Sequence, residues 1–92
     1  MVYGLQIVQR SYNDLMKSHA IHAEWDPEAR VWVATSDDVP GLVTESESLE
    51  ALDAKLKHMV PELLESNGIA VDGEVPYELH AHRSGVAPRV TH

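Results

Sequence analysis

Polar and apolar residues alternate along HAIHAEW at 19–25, the first regular pattern in the chain. A two-residue period is typical of a strand with one buried face. The next strand is predicted at 30–36, because RVWVATS is rich in β-branched and aromatic residues and is bounded by turn formers. The intervening DPEA segment favours a tight turn, so these two strands should pair antiparallel.

A proline and a glycine interrupt the pattern at DDVPG, residues 37–41. Pro40 and Gly41 are the residues that a type II turn prefers at its two central positions. A short third strand is predicted directly after this turn, at residues 42–45.

An amphipathic helix is predicted at 48–66. Its apolar residues recur at spacings of three and four, which gives one apolar stripe; they are Leu49, Leu52, Leu56, Met59, Val60, Leu63 and Leu64. Ser48 suits the N-cap, and Asn67-Gly68 suits the C-terminal end. Pro61 removes a backbone donor inside the helix, so we expect a kink there or two short helices end to end.

The last strand is predicted at 75–82, VPYELHAH. The order β-β-β-α-β, with short turns between consecutive strands, predicts an α+β fold in which one helix covers one face of an antiparallel sheet. We place this domain at residues 18–82. Residues 1–17 form an N-terminal extension with mixed helix and strand patterns, and residues 83–92 form a C-terminal tail.

Chain length and composition allow one domain with a modest core. A chain of 92 residues buries only about two thirds of its unfolded surface. Aromatic residues are 5% of the chain and Phe is absent, so Trp25 and Trp32 are expected in the core or at an oligomer interface. Small cores with exposed edge strands often associate, and we expect a homodimer or larger homo-oligomer.

Several functional classes are excluded by what the sequence lacks. The absence of cysteine excludes disulfides, thiolate metal sites and a cysteine nucleophile. No apolar run approaches the roughly 20 residues of a membrane span, and the N-terminus lacks the residue order of a signal peptide. We therefore expect a cytoplasmic protein with no membrane partner. Neither a G-x-S-x-G elbow nor a phosphate-binding glycine loop is present, so we expect neither catalytic residues nor a cofactor.

The charge balance indicates the kind of partner. Fifteen acidic residues against seven basic ones give a formal net charge of −8, which repels phosphate and argues against direct DNA binding. A basic protein is the natural complement, and the candidate contact residues are Asp37, Asp38, Glu45 and Glu47. A structural alternative for Asp38 is a hydrogen bond to the backbone of the Pro40-Gly41 turn.

Histidines suggest a second hypothesis, a small metal-dependent enzyme. His80 and His82 lie on one face of the fourth strand, a spacing that can chelate zinc or nickel. His22 on the first strand is a candidate third ligand. The alternative interpretation is a set of solvated histidines with no native metal.

Residues 18–82 resemble the HicB-like antitoxin fold, most closely its small branch of uncharacterised domains. The resemblance rests on the DPEA turn, the VWVATS strand, DVPGL, and PELLESNG. It implies a partial double-stranded-RNA-binding-domain-like fold and, for antitoxin members, masking of the small basic ribonuclease HicA. Many members also carry a C-terminal DNA-binding segment, but only ten residues follow His82, so we expect none here.

The leading hypothesis is therefore a non-catalytic HicB-like interaction module, an antitoxin-like protein that masks a small basic toxin ribonuclease. The third hypothesis is a structural homo-oligomer without a toxin partner.

Overall fold

The computed structural model describes residues 18–71 and 73–90. These residues form four strands and one helix: β1 (His19–Asp26), β2 (Val31–Thr35), β3 (Val43–Ser46), α1 (Leu49–Ser66) and β4 (Tyr77–His82). The predicted order β-β-β-α-β is confirmed. The predicted N-terminal extension at 1–17 lies outside the described residues.

The four strands form one mixed sheet in the order β3-β2-β1-β4. β2 pairs antiparallel with both β1 and β3, whereas β4 pairs parallel with β1. The prediction of a wholly antiparallel sheet is therefore wrong at β4. Because β2 pairs antiparallel with both neighbours, β3 runs parallel to β1. Helix α1 then connects β3 at one edge of the sheet to β4 at the other. A helical crossover of this kind joins parallel strands.

The core lies between α1 and one face of the sheet. Alternation along β1 and β2 sends small and branched side chains to this face, and α1 contributes its predicted apolar stripe. The buried apolar residues include Ile21, Ala23, Ala34, Val39, Leu42, Leu52, Leu56, Val60 and Leu64. The sheet therefore has one face packed against the helix.

The turn between β2 and β3 contributes two of these core residues. The Leu42 amide donates to the Val39 carbonyl at 3.2 Å, and Gly41 has φ +82°. A positive φ at the third turn position requires glycine in a type II turn, as the sequence predicted. The turn therefore points Val39 and Leu42 into the core while Pro40 stays exposed.

Helix α1 has the predicted N-cap and is one continuous helix. The Ser48 hydroxyl accepts a hydrogen bond from the Ala51 amide at 3.1 Å, which caps the first turn. The helix continues through Pro61 to Ser66. The alternative of two helices end to end is therefore wrong, because packing of the apolar stripe on the sheet holds the helix together across the missing backbone donor.

The C-terminus of α1 ends in a Schellman motif. Gly68 has φ +74°, its amide donates to the Glu65 carbonyl at 3.0 Å, and the Ile69 amide donates to the Leu64 carbonyl at 2.9 Å. The predicted Asn67-Gly68 helix end is thus confirmed. Within the described ranges no helix combines the length and apolarity needed to cross a membrane.

Candidate functional site

The second face of the sheet carries the side chains that alternate with the core residues. We call it the open face, and the strand registers assign to it Ala20, His22, Glu24, Asp26, Val31, Val33, Thr35, Val43, Glu45, Glu78, His80 and His82. Within residues 18–71 and 73–90, α1 is the one helix, and it packs against the other face. In the described part of the chain, no helix covers the open face, which leaves it available to a partner.

Carboxylates and valines share this surface. Glu24, Glu45 and Glu78 lie on three different strands and are all exposed. Val43 is 69% exposed on the edge strand β3, and Val33 lies between Glu24 and Glu45 in the same row across the sheet. A surface of this composition can pair with cations and also bury apolar area.

Two of the three predicted histidines lie side by side on the open face. His22 and His80 are direct neighbours across β1 and β4, and their rings stack with centroids 5.7 Å apart and planes 29° apart. The His80 Nε2 atom lies 3.2 Å from a carboxylate oxygen of Glu78. His82 lies in the next row, opposite Glu24.

This arrangement does not complete the metal site considered from the sequence. Among the described residues, no group of three or more histidine, aspartate or glutamate side chains is arranged to hold a metal ion. The structure brings His22 and His80 together and places His82 one row away, because its cross-strand neighbour is Glu24 instead of a histidine. A two-histidine pair lacks the three protein ligands typical of a catalytic zinc.

Asp38 has a structural role that differs from the predicted one. Its carboxylate accepts a hydrogen bond from the Ala20 amide at 2.8 Å, so the predicted bond to the Pro40-Gly41 backbone is wrong. The Ser36 hydroxyl donates to the Ala20 carbonyl at 2.6 Å. Extending the strand register would place Ala20 opposite Asp37. Ser36 and Asp38 therefore form the hydrogen bonds of the Ala20 carbonyl and amide at a position beyond the end of β2.

The three other predicted partner-binding residues are exposed. Asp37 lies just beyond β2, Glu45 lies on the open face of β3, and Glu47 follows β3 directly before the helix cap. The structure thus separates the four predicted acids: Asp38 is used within the fold, and Asp37, Glu45 and Glu47 are exposed along the β2–β3 side of the sheet.

Trp25 and Trp32 form a pair at one end of the helix-facing side of the sheet. They are opposite each other in the register, with ring centroids 5.5 Å apart in an edge-to-face arrangement. Both rings are half-buried, and Trp32 packs against the core. The Arg83 guanidinium lies 4.2 Å above the Trp25 ring. Arg83 follows β4 in the predicted tail, where no sequence pattern indicated this contact.

A charged network that the sequence analysis missed joins β4 to α1. The Tyr77 hydroxyl donates to the Asp53 carboxylate, which also accepts from Lys57 at 2.7 Å. The hydrogen bond from Lys57 lowers the pKa of Asp53 most, and the bond from Tyr77 lowers it further. In turn, the Asp53 carboxylate raises the pKa of Lys57. Burial, together with the bond to Asp53, raises the pKa of Tyr77. The four-residue spacing of Asp53 and Lys57 was a visible signal for the ion pair.

Comparison with known proteins assigns the family. Residues 18–91 match a domain of unknown function, DUF1902. The chain belongs to the DUF1902 family. The DUF1902 domain is also similar to the hypothetical protein TTHA1013 from the extremely thermophilic bacterium Thermus thermophilus, whose crystal structure is known. Sequence identity is 53%, the alignment covers 82% of this chain and 100% of that chain, and the TM-score is 0.61.

The search of curated proteins found no match. The sequence analysis predicted a small branch of uncharacterised HicB-like domains. The match confirms that the chain belongs to an uncharacterised family, and the link to HicB remains a proposal.

Proposed function

We propose that this DUF1902 domain is a non-catalytic protein-interaction module whose open face docks a small basic protein. The single observation that supports the proposal is the composition of that face. Exposed Glu24 and Glu45 flank half-buried Val33 in one row across the sheet, and exposed Glu78 stands on a third strand of the same face. The described part of the chain places no helix over these residues.

Charge complementarity favours a basic partner. Neighbouring strands lie about 5 Å apart, so Glu24 and Glu45, two strands apart, suit lysine or arginine side chains spaced about 10 Å apart on a partner. The chain's net charge of −8 would attract such a partner over a longer range and speed its association. Asp37 and Glu47 extend the acidic surface along the β2–β3 side.

The partner class that we propose is a small toxin ribonuclease of the HicA type. The resemblance of residues 18–82 to HicB-like antitoxins supports this choice, and so does the acidity of the chain. A ribonuclease binds RNA through cationic side chains. Carboxylates on the open face would form ion pairs with those cationic side chains, and the rest of the domain would block access of RNA to the toxin. The mechanism is therefore masking, with no chemical step carried out by this domain.

A metal-dependent enzyme is less well supported. The His22–His80 pair has no third protein ligand among the described residues. The cleft near the end of β4, lined by Trp25, Pro27 and Arg83 among others, includes neither histidine of that pair. We therefore propose neither a catalytic residue nor a cofactor.

Charge reversal on the open face tests the proposal. The variant E24K/E45K/E78K should bind a HicA-type ribonuclease more than about tenfold more weakly than the unmodified chain. The control E50K/E62K/E65K makes the same change in net charge at exposed positions of α1 and should bind nearly as well as the unmodified chain.

Calorimetric titration at two salt concentrations measures both affinities, and an RNA-cleavage assay measures masking. Equal weakening by both variants would mean that net charge alone acts. A complete lack of binding by the unmodified chain would contradict the proposed partner class.

A further inference from the structure

The two edges of the sheet differ in what their backbones offer. The His19 amide donates to the Pro76 carbonyl at 3.1 Å, so alternate residues of β4, starting at Pro76, direct their peptide groups toward β1. Backbone alternation then turns the N–H and C=O groups of Tyr77, Leu79 and Ala81 outward. These six groups line the outer edge of β4.

The opposite edge, on β3, is shorter and partly occupied. The same backbone alternation can be traced from β1 through β2 to β3. It directs the N–H and C=O groups of Val43 and Glu45 away from β2, toward the outer edge. The Glu45 carbonyl already accepts a hydrogen bond from the Lys55 ammonium at 2.5 Å. A lysine over a short edge strand is a recognised means of preventing further strand pairing. Strand β4 contains neither lysine nor proline, so its own residues supply no such protection.

From this asymmetry we infer that the outer edge of β4 binds a second copy of the chain. The two β4 strands pair antiparallel about a two-fold axis at Leu79 and join two four-stranded sheets into a continuous one. In this register Leu79 lies opposite the second copy's Leu79, and Tyr77 lies opposite its Ala81. This alignment uses every outward peptide group of Tyr77, Leu79 and Ala81 in one set of antiparallel hydrogen bonds.

Side chains on both faces agree with this register. On the helix-facing side, Leu79 meets its own copy, and it is already half-buried in the single chain. On the open face, Glu78 lies opposite the second copy's His80, a carboxylate beside an imidazole on each side of the axis. Within one chain these two residues already approach to 3.2 Å. The edge is thus self-complementary in hydrogen bonding, apolar contact and charge, which favours a second copy over an unrelated strand.

This inference is independent of the proposed partner, although the dimer would join the two open faces into one surface. A single strand pair is a small interface, so association should depend on concentration. Sedimentation velocity from about 1 to about 500 µM should show a monomer–dimer equilibrium. A monomer across the whole range would overturn the inference.

Proline scanning of the edges identifies the surface used. Ala81 is exposed and its amide points outward, so A81P removes one intermolecular donor at a position where an edge strand tolerates proline. We expect the dissociation constant to rise at least about tenfold. The control V43P removes the corresponding donor at the start of β3 and should leave the dimer intact. A dimer lost in V43P and retained in A81P would place the interface on β3 and overturn the inference.

Cysteine cross-linking tests the register even if A81P fails to fold. The chain has no cysteine, so each single variant carries one thiol. On mild oxidation L79C should give a covalent dimer, because its two Cα atoms lie about 5.5 Å apart in a hydrogen-bonded pair. H80C should not, because its two Cα atoms would be about 8 Å apart. Cross-linking of H80C but not L79C would overturn the Leu79-centred register, and cross-linking of neither would overturn the β4 pairing.

Discussion

The Tyr77 hydroxyl donates a hydrogen bond to the Asp53 carboxylate, and this contact ties the last strand of the sheet to the N-terminal half of the helix. Lys57 donates to the same carboxylate from one helical turn away, at 2.7 Å. Strand β4 is the parallel strand that follows the helix. The contact therefore helps to hold the crossover at the edge of the sheet that we infer to be used for self-association.

This network predicts how stability changes in acid. Because Lys57 and Tyr77 lower the pKa of Asp53 in the folded state, the unfolded state binds more protons as the pH falls. The stabilisation is present above the unfolded carboxyl pKa of about 4 and is lost as the pH falls through the lower folded value. D53N should therefore flatten the dependence of the urea midpoint on pH between about pH 5 and 2. E62Q makes the same acid-to-amide change at an exposed helix position outside the network and serves as the control.

The alkaline limb has the opposite sign. The pKa values of Tyr77 and Lys57 are both raised in the folded state, so their contributions are present below their unfolded values and are lost as the pH rises beyond about 10. Y77F should reduce the loss of stability between about pH 9 and 11. An unchanged alkaline limb in Y77F would contradict the network.

Adjacent aspartates should respond differently to substitution. D38A removes the acceptor of the Ala20 amide, and we expect a loss of about 1–3 kcal/mol in the free energy of unfolding. D37A changes an exposed carboxylate and should stay within about 0.5 kcal/mol. D38N keeps an acceptor oxygen and should fall between them. Denaturant melts measure all three, and equal effects of D37A and D38A would contradict the structural role of Asp38.

The two tryptophans should be energetically coupled. Trp32 is half-buried, so W32A should cost about 2 kcal/mol, below the roughly 3–5 kcal/mol of a fully buried ring. Because Trp25 meets it edge to face, a double-mutant cycle with W25A should give a coupling of about 1 kcal/mol. A coupling near zero would mean that the rings do not touch in solution.

Arg30 is the one position in the β1–β2 turn with a left-handed backbone, at φ +58°. Its amide donates to the Asp26 carbonyl at 2.7 Å, which fixes this conformation. Because a side chain disfavours positive φ, R30G should raise the free energy of unfolding by about 0.5–1 kcal/mol. The control E28G, at a turn position without positive φ, should have no stabilising effect. A destabilised R30G variant would contradict the turn geometry.

Local signals in the sequence were enough to predict the elements, because each strand, turn and cap depends on residues within a few positions. The Pro40-Gly41 turn and the Ser48 cap are examples. Contacts between distant residues were not predictable in this way. Asp38 bonds Ala20, 18 residues away, and Tyr77 bonds Asp53, 24 residues away. The parallel direction of β4 likewise depends on which way α1 crosses the sheet, and short-range periodicity does not encode that.

The same distinction applies to the candidate site. Alternation placed His80 and His82 on one face, and His22 on the first strand was the candidate third ligand. Only the strand register decides that His80 is its neighbour and that His82 lies opposite Glu24. The open face as a whole is a product of the pairing of four strands, so the sequence identified Glu45 as a candidate but not Glu24 or Glu78.

The central claim is that the open face of the sheet binds a small basic protein, and methyl NMR tests it most directly. The valine methyl groups of Val31, Val33 and Val43 lie on the open face, whereas Ala51 and Ala54 are exposed on α1. On titration with a HicA-type ribonuclease, we expect the three valine signals to shift with saturation and the two alanine signals to stay in place. Shifts confined to the alanine signals, or no saturable shift of any signal, would contradict the claim.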